Sequence, residues 1–239
     1  ICLHLPQVPA AFWMIIESAF KSEAAYGGFV GTLVMGIRRS TFSNEAGLGS
    51  AAIAHSAAKT NEPVREGVVA LMEPFIDTII ICNMTALVII LTGAWEMDAQ
   101  QLLPAGFDRL DPGIVLTKAA FDQVLSWFPV ILMACVVLFA YSTMISWCYY
   151  GERGWIYLLD HFGEGVGLKT LIIFRLIFVG FIYVGAVTNI RAVIEFSDAM
   201  FFSMALPNIL GAVILAPMLT RKVNDYWRRY KGGEIKPVK

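Results

Sequence analysis

The stretch Phe42-Ser43-Asn44-Glu45-Ala46-Gly47-Leu48-Gly49-Ser50-Ala51 sets two glycines one residue apart, beside an amide and a carboxylate. Glycine lacks a Cβ and weakens a helix, so this spacing lets the backbone open. An opened backbone offers N–H groups to a carboxylate and carbonyl oxygens to a cation. Inside a bilayer such backbone is tolerated only where protein buries it or a wet cavity borders it. Asn44, Gly47, Gly49 and Ser50 are therefore candidate substrate-binding residues. The competing reading is a packing motif, in which small residues let helices approach closely. The adjacent Glu45, a charge that is costly at membrane depth, favours binding.

A second constellation lies near residue 143. Ala140, Thr143 and Trp147 stand at i, i+3 and i+7, hence on one helical stripe, with Ser142 and Ser146 beside it. A hydroxyl and an indole on one face suit a small amphiphilic ligand. Ser and Thr hydroxyls also bond back to their own helix carbonyls, and Trp also anchors at membrane interfaces. Spacing alone leaves both readings open. Asp77 reads as sitting in a wet cavity or bonding Thr78 and nearby backbone, the second being favoured. His55 reads as a packed neutral imidazole in preference to a proton relay. Arg38 and Arg39 read as facing a vestibule or pairing with an acid.

Other chemistry is missing from the sequence. Gly47 to Ala52 spell G-x-G-x-x-A, but that dinucleotide fingerprint requires a preceding strand, and its surroundings here are apolar helix. No H-E-x-x-H or G-x-S-x-G occurs, so no catalytic residues are assigned and an enzyme is not expected. Cys2, Cys82, Cys135 and Cys148 are scattered without metal-ligand spacing, so neither a metal site nor a disulfide framework is expected.

The elements that must position these residues follow from composition. Of 239 residues 57% are hydrophobic and only 15% charged, well beyond a soluble domain. The net charge of −1 argues against a nucleic-acid partner. Residues 123–151 and 199–220 contain no charged side chain, and each run is long enough to cross the hydrocarbon core. These runs lack the alternation of barrel strands, so the fold class is all-α, a polytopic membrane protein. The chain reads as one transmembrane domain over 1–239, with spans at 24–58, 67–94, 122–151, 168–188 and 192–220. The first span is broken at the glycines, and Pro207-Asn208 is expected to interrupt the last. Residues 1–20 read as the end of an earlier helix stopped by Pro6 and Pro9, and Arg175 as snorkelling from a helix end. The chain opens on Ile1 inside an apolar stretch, as a fragment or processed piece would. The tail 221–239 carries Arg221, Lys222, Arg228, Arg229, Lys231, Lys236 and Lys239, which places it in the cytoplasm and the acidic 95–121 connection outside.

The run GIRRSTFSNEAGLGSAAIAHSAAKTNEPVREG (36–67) resembles the signature of the alanine/glycine:cation symporter family. DTIIICNMTALVIILTG (77–93), FAYSTMISWCYYGE (139–152) and the Asp198 to Asn208 segment extend the likeness over nearly the whole chain. Ser40 and Ala52 depart from the family's usual glycine and proline. The resemblance implies the second five-helix half of a LeuT-type inverted repeat, with the N-terminal half of the transporter outside this chain. It implies sodium-coupled symport of alanine or glycine by alternating access, in a plasma (inner) membrane. The alternatives are proton coupling through Glu45, Asp77 or His55 and, from another class, a membrane-embedded enzyme. The resemblance also implies that Thr143 and Trp147 line the amino acid pocket. Ala140, Ser142 and Thr143 become candidate sodium ligands, with sodium the coupling ion and no other cofactor.

Overall fold

The structure is a computed structural model that describes residues 1–20, 29–98 and 112–235. The start of the first expected span, Asp108, Arg109 and Asp111 of the long connection, and Lys236 and Lys239 lie outside the described residues. Among those described there is no strand. A 3-10 segment (Cys2–Gln7) leads into α1 (Val8–Phe20). The helices α2 (Phe29–Asn44) and α3 (Ser50–His55) flank a five-residue break at 45–49. Next come α4 (Pro63–Leu91), α5 (Pro112–Asp122), α6 (Phe128–Leu159), a single turn at Val166–Lys169, α7 (Leu171–Val187) and α8 (Ile190–Lys231).

Three of these helices are long and apolar enough to cross a membrane: Pro63–Leu91, Phe128–Phe162 and Ile190–Lys231. Almost none of their apolar windows is buried within the chain, so aliphatic and aromatic side chains such as Leu138, Phe139, Leu206 and Ile214 face outward. Apolar surface on this scale belongs against lipid. The chain is a polytopic membrane protein.

Two features differ from the expectation drawn from proline. Pro6 lies inside the 3-10 segment and Pro9 in the first turn of α1, so neither ends a helix. The first turn has no intrahelical partner for its N–H groups, and a residue without one fits there. Likewise α8 runs unbroken through Pro207 and Pro217. Each proline removes one helical hydrogen bond, a loss that membrane helices absorb through neighbouring groups.

The chain divides into two compact units, Ile1–Met35 with Ile81–Phe196, and Gly36–Ile80 with Ser197–Lys239. In the first, α6 and α7 pair through Arg175 Nε, which donates to Glu152 Oε1 at 2.6 Å, and Trp155 Nε1, which donates to Thr170 Oγ1 at 3.0 Å. Arg175, near the start of α7, is thus bound to an acid. Asn189 starts α8 by accepting the Arg191 N–H on its Oδ1 at 2.9 Å, an N-cap. The second unit holds the break, α3, the N-terminal part of α4 and most of α8.

Candidate functional site

The second unit is built around the break. Backbone φ is 54° at Glu45, 82° at Gly47 and 93° at Gly49, so three of the five residues between α2 and α3 are left-handed. The glycines adopt this at little cost. Glu45, which has a Cβ, stores about 1–2 kcal/mol there. Its neighbours hold it in place: Asn44 accepts the Ala46 N–H on Oδ1 at 3.0 Å and donates from Nδ2 to Thr78 Oγ1 at 2.8 Å. Ser43 Oγ donates to Asp77 Oδ2 at 2.6 Å. Asp77 therefore binds the end of α2, which neither sequence reading of it foresaw. Both partners lie where α4 is wound as a π-helix, over Phe75–Cys82. Such winding recurs at functional sites because it re-aims side chains.

The other partner of the break is α8. Asn208 Nδ2 donates to the Gly47 carbonyl at 2.8 Å, while its Oδ1 stands 3.0 Å from where a Cβ on Gly49 would be. One amide thus bonds one glycine and fills the space a side chain on the other would need. One residue further on, Ser50 is 1% exposed and its Oγ has no hydrogen-bond partner among the described residues. Below α2's end, the Arg38 guanidinium pairs with the carboxylate of Asp198, itself 5% exposed. Arg38 therefore takes the acid-pairing option. His55 sits between two carboxylates, with Nδ1 2.7 Å from Glu66 Oε1 and Nε2 3.9 Å from Glu73 Oε2. The ring, expected as a packed neutral imidazole, is half-buried with these two acids as its neighbours.

The Thr143 stripe belongs to the first unit, on α6. Ser142 Oγ donates to Phe139 O at 2.8 Å and Ser146 Oγ to Ser142 O at 3.1 Å, the back-bonding expected of helical hydroxyls. Thr143 makes no such bond among the described residues and is half-buried. Trp147 lies edge-on to Tyr150, ring centroids 5.8 Å apart. Ala140 is within the unbroken helix, so its carbonyl faces the regular ladder.

Of the residues singled out in the sequence, Asn44, Gly47, Gly49 and Ser50 come together in the second unit. Ala140, Ser142, Thr143 and Trp147 come together in the first. Asn208 and Asp198 were not foreseen as partners, and Thr78 was foreseen only as a partner of Asp77. Asn208 had a readable signal, an amide inside the uncharged run 199–220, where a polar group requires a partner.

The model of the sodium:alanine symporter family matches residues 1–239. The chain belongs to the sodium:alanine symporter family. It is 37% identical over 238 residues to an uncharacterized transporter of Haemophilus influenzae, covering 97% of this chain and 48% of that one. It is 34% identical over 227 residues to the sodium/alanine symporter AgcS of Methanococcus maripaludis, covering 95% of this chain and 47% of AgcS. A probable sodium/glutamine symporter of Bacillus subtilis, GlnT, is 29% identical over 233 residues, covering 97% and 45%. The chain spans about half the length of the curated relatives it matches. Members of the sodium:alanine symporter family are transporters rather than enzymes, which agrees with the missing catalytic motifs.

Proposed function

We propose that the full-length protein couples sodium entry to uptake of a small neutral amino acid, alanine or glycine, by alternating access. The observation that carries this reading is the break at 45–49, with left-handed glycines, held from both α4 and α8 in a member of the sodium:alanine symporter family. Broken helices serve secondary transporters in this way, helix ends meeting charged groups of substrate and ion. Backbone N–H groups around Gly47 to Ser50, other than that of Leu48, which donates to Glu45 O, hold the substrate carboxylate, and the Ser50 hydroxyl, without a partner among the described residues, supplies a further contact. Asn44 positions the break through one acceptor and one donor bond, and its amide keeps a second lone pair and a second N–H for the ligand.

In this reading the apolar segments form the second repeat of a LeuT-type transporter, a single domain that the unseen N-terminal half completes. Thr143 and Trp147 line the pocket, and Trp147 limits side-chain size. Ala140, Ser142 and Thr143 offer oxygens to sodium; the Ser142 hydroxyl donates to its own helix and keeps lone pairs for a cation. Sodium drives transport by binding one conformation better than the other. The protein sits in the plasma (inner) membrane, with the tail after Thr220 in the cytoplasm.

Uptake of labelled alanine and glycine by the full-length carrier in proteoliposomes tests the reading. A sodium gradient should drive accumulation, and choline in its place should abolish it. Accumulation driven equally by a proton gradient without sodium would favour the second reading, in which His55, bracketed by Glu66 and Glu73, carries the proton. No accumulation of either amino acid would sink both.

A further inference from the structure

The last turns of α8 meet the loop before α4. Arg229 forks onto Glu62, Nη1 donating to Oε1 at 2.8 Å and Nη2 to Oε2 at 3.0 Å. Its Nε donates to Asp225 Oδ2 at 2.9 Å, and Arg228 Nη2 donates to Asp225 Oδ1 at 2.6 Å. Every carboxylate oxygen of this pair of acids is therefore taken by an arginine N–H. Beside the clamp opens a cavity of about 430 Å3, bordered by Asn61, Glu62, Arg221, Lys222, Asp225 and Arg229.

The charges around that cavity do not cancel. Arg221 stands four residues before Asp225, the spacing at which a helix surface pairs opposite charges. Asp225 is instead filled from its C-terminal side by Arg228 and Arg229. Arg221 and Lys222 are left with no acidic partner among the described residues. They also follow directly on the uncharged run 199–220, so by composition they emerge where the helix leaves hydrocarbon. Basic pockets between membrane helices at that level suit anionic headgroups.

We propose that this cavity binds a phosphate group, carried by an anionic phospholipid or free in solution. Arg221 presents the planar fork that matches phosphate oxygens, Lys222 a mobile point charge, and Asn61 an amide donor. The Arg229–Glu62–Asp225 clamp forms the wall: it keeps the acids neutralised, so they repel an incoming anion less.

The test uses the full-length carrier in detergent, titrated with phosphatidylglycerol, with phosphatidylcholine and with inorganic phosphate. Phosphatidylglycerol should bind more tightly than phosphatidylcholine, and the Arg221→Gln/Lys222→Gln double variant should bind it at least tenfold more weakly. Lys169→Gln, a charge removed elsewhere, should leave it unchanged. If inorganic phosphate binds alone and displaces the lipid, the source is free phosphate; if it does neither, the source is the lipid headgroup. The charge-preserving Arg221→Lys/Lys222→Arg variant should keep binding even if the glutamine variant unfolds. Equal affinity for the two lipids in the wild type together with no binding of inorganic phosphate, or equal affinity of wild type and a folded glutamine variant for whichever phosphate source binds, overturns the proposal.

Discussion

Ser50 is buried and its hydroxyl has no hydrogen-bond partner among the described residues, a combination that costs a folded protein about 1–3 kcal/mol. A structural serine would be better replaced, and a ligand-binding one would not. Ser50→Ala should leave thermal stability of the full-length carrier unchanged or raise it by about 1 kcal/mol, while weakening substrate or sodium affinity in a binding titration. Loss of stability with intact affinity would remove Ser50 from the site. Gly49→Ala acts differently. It places a Cβ at φ 93°, about 1–2 kcal/mol unfavourable, and drives it against Asn208 Oδ1, 3.0 Å away. A lowered melting temperature and reduced uptake together are expected. The glycine pair was legible in the sequence because its effect is local, a backbone freed by missing side chains. Asn208 was not legible as a partner, because its hydrogen bond to Gly47 joins residues 161 apart and no short-range spacing encodes it. The same holds for Arg38 with Asp198, 160 residues away.

Helix α6 carries Thr143 and Trp147 on one stripe, and among the described residues Thr143 lacks the back-bonding that occupies Ser142 and Ser146. Trp147→Ala should shift preference from alanine toward a bulkier neutral amino acid by about 1–3 kcal/mol per methylene accommodated, read in a competition uptake assay. Thr143→Val keeps the shape and should weaken amino acid or sodium binding without widening the range. Unchanged preference in Trp147→Ala would make the indole an interfacial anchor. Where the 56–62 loop meets α8, a pH dependence follows from charge. Arg229 holds the Glu62 carboxyl below its ordinary 4.5, and Arg228 then Arg229 hold Asp225 below 3.8. A depressed acid stabilises in full above its ordinary value and loses that contribution as pH falls through the lowered one. Hydrogen exchange of the loop should therefore be constant, after correction for intrinsic rates, from neutral pH down to about 4.5 and accelerate below it. Helix type was readable from uninterrupted apolar runs. Helix ends at proline were not, since Pro6, Pro9, Pro207 and Pro217 all lie within helical turns. The π winding of Phe75–Cys82 has no composition that distinguishes it from an ordinary membrane helix.

At the scale of the whole molecule, membrane character was legible from the 57% hydrophobic content, and the outward apolar faces of the long helices agree with it. The order of spans across the bilayer rests on lysine and arginine asymmetry. In a cysteine-free full-length carrier, Gly232→Cys should react with an impermeant maleimide only from the cytoplasmic side, and Asp98→Cys only from outside. The reverse pattern would overturn the orientation and the repeat assignment with it. The single long helix α8 binds the break through Asn208 and the following loop through Arg229, with no interruption between them. A continuous α-helix fixes both distance and direction: each residue adds about 1.5 Å and about 100° of rotation. Deleting one residue between Asn208 and Arg229 would swing the guanidinium off Glu62 by more than a quarter turn while shortening the interval only slightly. That interval should accept many exchanges of side chain and almost no change in number, so insertions and deletions in this family are expected to collect outside it.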